Sequence, residues 1–410
     1  QKAAPHSKAL RCVLAVLLAI GLMPALGTQA RSAWAEESFE NEAASYGEEA
    51  NGEVPGADET TSDPEAAGGP SGDAADPAAS PQAPAGDSAE AFSARDASAD
   101  EPAAPLAAGP AIDLTQAGRD NSYVEIDGSS VTVGTDQLPH EGSVTFTTNG
   151  EQVATKFVIR AGFSGTVYLD NANLSAANDT NIKLEAGVVV DLKVTGENKI
   201  ANSSDAAKRL YPVIGVPASA ELTLSGETGS ATDSLNIETS HVRANSSGAL
   251  FSAGAVIGSA DSADSGPITI QNVELSVRSH VENTDTATTI FPGAAHSGAV
   301  IGSGSLGVAD DIAIENAVVN IDVAPIVAGS KASGSVSGAL IGSGANNTMN
   351  SGAMPVTVGN ITIRNSQVTA TAKAARGENT GAVIGSGGYG SVGGTILLAA
   401  SSVYAVTASS

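Results

Sequence analysis

The hexapeptide Gly-Ala-Val/Leu-Ile-Gly-Ser returns four times, at residues 254–259, 298–303, 338–343 and 381–386, with spacings of 44, 40 and 43 residues. A degenerate copy, Pro212-Val213-Ile214-Gly215-Val216, stands 43 residues before the first. Self-similarity at such a period marks a chain of stacked units, each burying its apolar face against its neighbours. Each copy is followed by an alternating pair: Leu235/Ile237, Ile268/Ile270, Ile312/Ile314, Ile361/Ile363 and Ile396/Leu398. Two residues later come Thr239, Asn272, Asn316, Asn365 and Ala400. A second alternation then begins, at Val242/Ala244, Leu275/Val277, Val319/Ile321, Val368/Ala370 and Val403/Ala405.

Period-2 patterning argues for strands, and helical stripes are absent because Gly interrupts every run. Three short strands per unit, a sharp corner and elastic Gly/Ser/Asn loops predict an all-β chain, a right-handed parallel β-helix. Its equivalent residues stack about 4.8 Å apart. Ile257, Ile301, Ile341 and Ile384 are expected in one column, and Ile270, Ile314 and Ile363 in another. Asn272, Asn316 and Asn365 fall at the bend, where stacked amides can form a ladder or serve as ordinary turn residues. Shorter turns of similar grammar at 157–226 place the start of the solenoid near Phe157, with 112–156 as a β-rich cap or lead-in. The repeats of ~43 residues run from about 212. An array of β-sandwich half-domains is the rival, although identical strings suit stacking on like neighbours better.

The rest of the chain is read by composition. Residues 1–35 carry Lys2, Lys8, Arg11 and Arg31 and no acid; the apolar run 12–26 leads to Ala33-Trp34-Ala35. This is the layout of a secretory signal peptide, and the run is too short to favour a membrane span. Residues 36–111 hold 18 acids, one base and nine prolines. They bury too little to offset chain entropy, so a disordered acidic linker is expected. The only Cys and the only Trp lie in the signal. Export without disulfides suits a bacterial protein, and thiol catalysis is excluded from the mature chain. No second apolar stretch is long enough for a span in the mature chain. A net charge of −26 repels nucleic-acid phosphate and anionic lipid.

The motifs VTGENKI (194–200) and YPVIGVPASAELTLSG (211–226), with the GA[VL]IGSG units, resemble a family of secreted bacterial β-helix surface proteins. In that family G-A-x-I-G-x-G alternates with I-T-I-x-x-x-x-V-x-A strands. The resemblance covers roughly 160–410 and implies a Gram-positive source and a secreted, extracellular location with surface attachment. A more distant resemblance is to calcium-using β-helix proteins that bind acidic plant polysaccharide. Unlike the surface proteins, the chain shows no LPxTG-like anchor, and it opens on Gln1 and stops within a strand pattern at Ser410. Truncation at both ends is therefore expected, with an anchor beyond Ser410.

Chemistry-bearing residues are sparse. His140, His241, His280 and His296 sit in no zinc-binding spacing, and no G-x-S-x-G elbow or phosphate loop occurs. Asp170, Asn171, Asn173 and Asp179 form the one oxygen-rich group suited to calcium. Asp310-Asp311 is the alternative acidic site; a lyase would need it to share a groove with Arg278. The favoured reading is a non-enzymatic, adhesin-like module without a required cofactor, whose partner is an extracellular polysaccharide or host surface component. A polysaccharide lyase or hydrolase on the same scaffold, and a structural stalk, are the alternatives.

Overall fold

The computed structural model describes residues 109–205, 208–228, 233–243, 250–283, 293–327, 333–346, 356–374 and 381–409. The signal peptide read at 1–35, and the linker 36–111 up to residue 108, lie outside them. Every regular element among the described residues is a β-strand. The strands assemble into three long sheets of ten, nine and eight strands, here sheets I, II and III, with a four-stranded sheet IV and a two-stranded pair.

From Lys156–Ile159 onward the chain visits the sheets in a constant cycle. That strand lies in sheet I, Ser164–Asp170 in sheet II and Asn173–Ala177 in sheet III, and Ile182–Leu184 returns to sheet I. Each strand pairs in parallel with its equivalent one cycle later. The isoleucine of the hexapeptide accordingly stacks: Ile214, Ile257, Ile301, Ile341 and Ile384 are successive partners in sheet I. The column continues backward through Ile182, Phe157 and Val124. Ile270, Ile314 and Ile363 stack likewise in sheet II, and Leu275, Val319, Val368 and Val403 in sheet III. Alternation puts these side chains on one face, and nearly all are fully buried in one continuous core. Antiparallel strands occur at one end of sheet I, where Ser130–Val133 and Asp136–Pro139 fold back beside Tyr123–Ile126. Val131 and Val133 are buried there.

The geometry explains the hexapeptide. Gly302 and Gly342 have φ of 133° and 139°, and a Cβ on Gly302 would lie 1.7 Å from the Gly342 carbonyl oxygen. Successive corners therefore approach closely only without a side chain.

One sequence alignment needs correcting. Leu235/Ile237 do not belong with Ile268/Ile270. They lie in sheet III, in register with Leu275 and Val277, and the sheet II partners of Ile268 and Ile270 are Leu222 and Leu224. In that cycle the link from sheet I to sheet II is short and the II-to-III corner carries an insertion at 227–233. The two changes nearly cancel in the period, so counting from the hexapeptide lands one sheet too far. Thr239 is thus a buried sheet III residue.

The described repeats also hold a strand that alternation does not reveal. Lys208–Arg209, Leu250–Ser252, Gly293–His296 and Ser333–Val336 form sheet IV, just before sheet I in each cycle. Sheet IV packs against sheet III, and the interior between them is polar. Asn202 donates to Asn181 Oδ1 (2.6 Å), Thr239 donates to Ser279 Oγ (3.0 Å), and Arg209, His241 and His296 are all buried.

Candidate functional site

Sheet III presents its second set of side chains outward, and the register aligns them in columns. One column runs Lys199, Asn236, Ser276, Asn320, Thr369 and Tyr404; its neighbour runs Ala201, Glu238, Arg278, Asp322, Thr371 and Val406. Successive members are about 4.8 Å apart along the stack. Between the columns lies a cleft of about 320 Å³, lined by Asn236, Glu238, Arg278, Asn320, Asp322 and Thr371 among others.

The charges in this cleft are loosely paired. Lys199 Nζ sits 2.7 Å from Glu238, but Arg278 reaches Glu238 only at 4.0 Å, with its side chain three-quarters exposed. Asp322 Oδ1 is shielded from water yet accepts no hydrogen bond, and the Lys373 ammonium stands 3.7 Å away. The Asp322 side chain as a whole is half exposed and lines the cleft, so its carboxylate can take a donor from outside on its open side.

A second groove, of about 600 Å³, follows the corner between sheets II and III. It is lined by Asn316, Asn365 and Ala400 on the bend and by Val318, Gln367 and Ser402 at the start of sheet III. The last three residues pair in register beside the Asn320 column, so groove and cleft border one another. Asn272, Asn316 and Asn365 have φ of 53°, 50° and 48°, which is what the bend demands of them. Their backbone N–H groups donate to Glu315, Arg364 and Ala399 carbonyls one cycle on. No amide–amide bond links the three side chains; what stacks is backbone, and the Asn316 and Asn365 amides are exposed.

The oxygen-rich group is divided between two corners. Asp170 accepts from the Asn171 amide (2.8 Å), and Asn173 donates to Gly150 O (3.1 Å) at the II-to-III bend. Asp179 lies past the strand Asn173–Ala177, which spans about 16 Å, and it is paired with Lys156. The structure does not bring Asp179 to the other three, and no cluster of three or more metal-binding acids, histidines or cysteines occurs among the described residues.

Asp310 and Asp311 precede the sheet II strand Ile312–Glu315, whereas Arg278 stands on the outside of sheet III. They share no groove. Asp311 accepts from Asn360 N (2.7 Å) and from its side-chain amide, and Asp310 accepts from Asp311 N (2.8 Å), so both cap backbone. Arg160 is held by Glu125 (2.8 Å) and Glu185 (2.5 Å); the guanidinium keeps the Glu125 carboxyl below its usual range, and, against the effect of burial, the Ala161 N–H followed by Arg160 lowers that of Glu185.

No protein-family model, curated protein or solved structure matches the chain.

Apart from Arg278 and Asn173, which the sequence suggested for other chemistry, the outward residues of sheet III escaped sequence reasoning because they differ from cycle to cycle and leave no motif. The signal that could have found them is the alternation itself: each buried Leu275, Val319 or Val368 implies an outward partner one residue on. No helix among the described residues is long and apolar enough to cross a membrane.

Proposed function

We propose that the chain is a right-handed parallel β-helix, secreted or displayed at a cell surface, that binds an extended glycan without cleaving it. The half-exposed Asp322 carboxylate in the sheet III cleft, lined also by Glu238, Arg278, Asn236 and Asn320, carries this reading. A sugar hydroxyl can donate to Asp322 and Glu238, accept from Arg278, and do both with the Asn236 and Asn320 amides. Columns at a constant step suit a polymer of constant step, and Tyr404, which is 65% exposed, adds a stacking surface to one column. The constant cycle of sheets I, II and III supports the β-helix, and the apolar run at 12–26 supports export. The placement of Asp310, Asp311 and Arg278 on different sheets weighs against the lyase.

The test is a glycan panel presented to the full chain with and without calcium, with chain length of the glycan followed over time. Saturable binding at constant glycan length is expected, weakened at least tenfold by N320A/D322A. Depolymerisation would move the protein to the enzyme class, and failure to bind any glycan would leave the stalk.

A further inference from the structure

We propose that the interior between sheets III and IV, at Arg209, is a binding site for a small inorganic anion of the halide class. Arg209 is 1% exposed, on the strand Lys208–Arg209 of sheet IV. Its Nε donates to Ser252 Oγ (3.0 Å) and its Nη2 to Gly254 O (3.4 Å), while Nη1 is shielded and has no partner. No described carboxylate forms an ion pair with it; its one electrostatic neighbour of opposite tendency is the Tyr211 hydroxyl. Burial presses its pKa down to about 10, which still leaves it charged at neutral pH. An isolated ion taken out of water costs a large share of the stability of a domain.

The nearest side chains in the column add no negative charge. Arg209, Ser252 and His296 are successive partners in sheet IV, and the Nε contact with Ser252 carries the guanidinium up the column toward His296. His296 is fully buried; its Nδ1–H donates to Gly298 O (2.9 Å), leaving Nε2 shielded and without a partner. Arg209 and His241, the latter facing in from sheet III, both act on the His296 ring. Asp179 and Asp205 act on Tyr211, but among the described residues no carboxylate acts on the Arg209 guanidinium or on the His296 ring, so the compartment holds an uncompensated cation and is a place for a negative charge. Water satisfies the orphaned N–H but leaves the charge standing. A polyvalent oxyanion needs more donors than one free guanidinium nitrogen and neighbouring hydroxyls supply. A halide needs few donors and no orientation. Glycan binding on the outside of sheet III is independent of this site.

The full chain should show a saturable rise in Tm when chloride or bromide replaces gluconate at constant ionic strength, because a ligand of the native state alone stabilises it. Bromide soaked into crystals should give an anomalous peak beside Arg209 Nη1. Arg209→Met, which keeps the stem and removes the charge, should lose the halide dependence and match or exceed the parent Tm in gluconate. A Tm indifferent to the anion, or a halide response that survives Arg209→Met, would overturn the proposal. Should Arg209→Met fail to fold, the bromide map of the unaltered protein decides: no peak at Arg209 refutes the site.

Discussion

The Ser303 hydroxyl accepts a hydrogen bond from the Gly344 N–H at 3.1 Å, one repeat further along the chain, and donates its own to the Gly307 carbonyl at 2.7 Å. Ser259 does the same one repeat earlier, with Gly304 N at 3.0 Å and Ala263 O. The last letter of the hexapeptide thus joins successive cycles at a site closed to water, with Ser303 fully buried. Ser303→Ala leaves a donor and an acceptor unmet and is expected to cost about 1–3 kcal/mol. Ser164→Ala, at an exposed sheet II residue, should change stability by less than about 0.5 kcal/mol. Urea unfolding of the two variants makes the comparison.

The glycine before that serine yields a larger contrast. Gly302→Ala meets both an unfavourable φ of 133° and the Gly342 oxygen at 1.7 Å, and neither can relax without separating stacked cycles. A loss above about 4 kcal/mol, or no folded protein at all, is expected. Gly162→Ala shares the positive φ, at 92°, but its Cβ meets nothing within 4 Å. It should cost about 1–2 kcal/mol. Equal losses in the two variants would mean that stacking distance plays no part in selecting the motif.

Where residues repeat, the fold was legible; where they do not, it was not. Stacking selects the same residue at the same place, so Ile257, Ile301, Ile341 and Ile384 announced their column. Leu235/Ile237 falls out of line with Ile268/Ile270, whose place is held by Leu222/Leu224, because the insertion at 227–233 hides in an unchanged period. Sheet IV strands of two to four residues are too short to show alternation. Arg209 and His296 are types expected at the surface, so nothing in the chain flagged them as interior. The sheet III exterior offered alternation but no motif.

Ala400 stands where three cycles place Asn, and with φ of 51° it is held in the left-handed region. An alanine there costs about 1–2 kcal/mol relative to a relaxed backbone, and asparagine tolerates the region better. The residue is exposed, so a longer side chain meets no packing penalty. Ala400→Asn should therefore stabilise the protein by up to about 1 kcal/mol and raise Tm by a few degrees. The same change at Ala399, the last residue of the strand before it, removes no strain and should give no gain.

His296 makes the protein acid-sensitive in a definable window. Burial first, then the Arg209 charge and His241, lower its pKa from 6.5 to about 3, against a smaller opposing effect of the Gly298 carbonyl. The folded state therefore keeps the ring neutral where the unfolded chain already binds a proton. Stability from this group is fully present above pH 6.5 and is lost as pH falls toward 3, by at most about 1.4 kcal/mol per unit. Asp127, held near 2 mainly by the Ser129 backbone N–H, contributes in the same direction but only below its ordinary 3.8. The interval from pH 6.5 to about 5.5 thus reports on histidine, with Arg209 and His241 as the groups facing it, because the lowered Glu125 and Glu185 carboxyls begin to contribute only below it. In chloride-free buffer, His296→Asn, whose amide can still donate toward Gly298 O without titrating, should flatten the decline of unfolding free energy across that interval. An unchanged slope in the variant would assign the acid sensitivity to other groups.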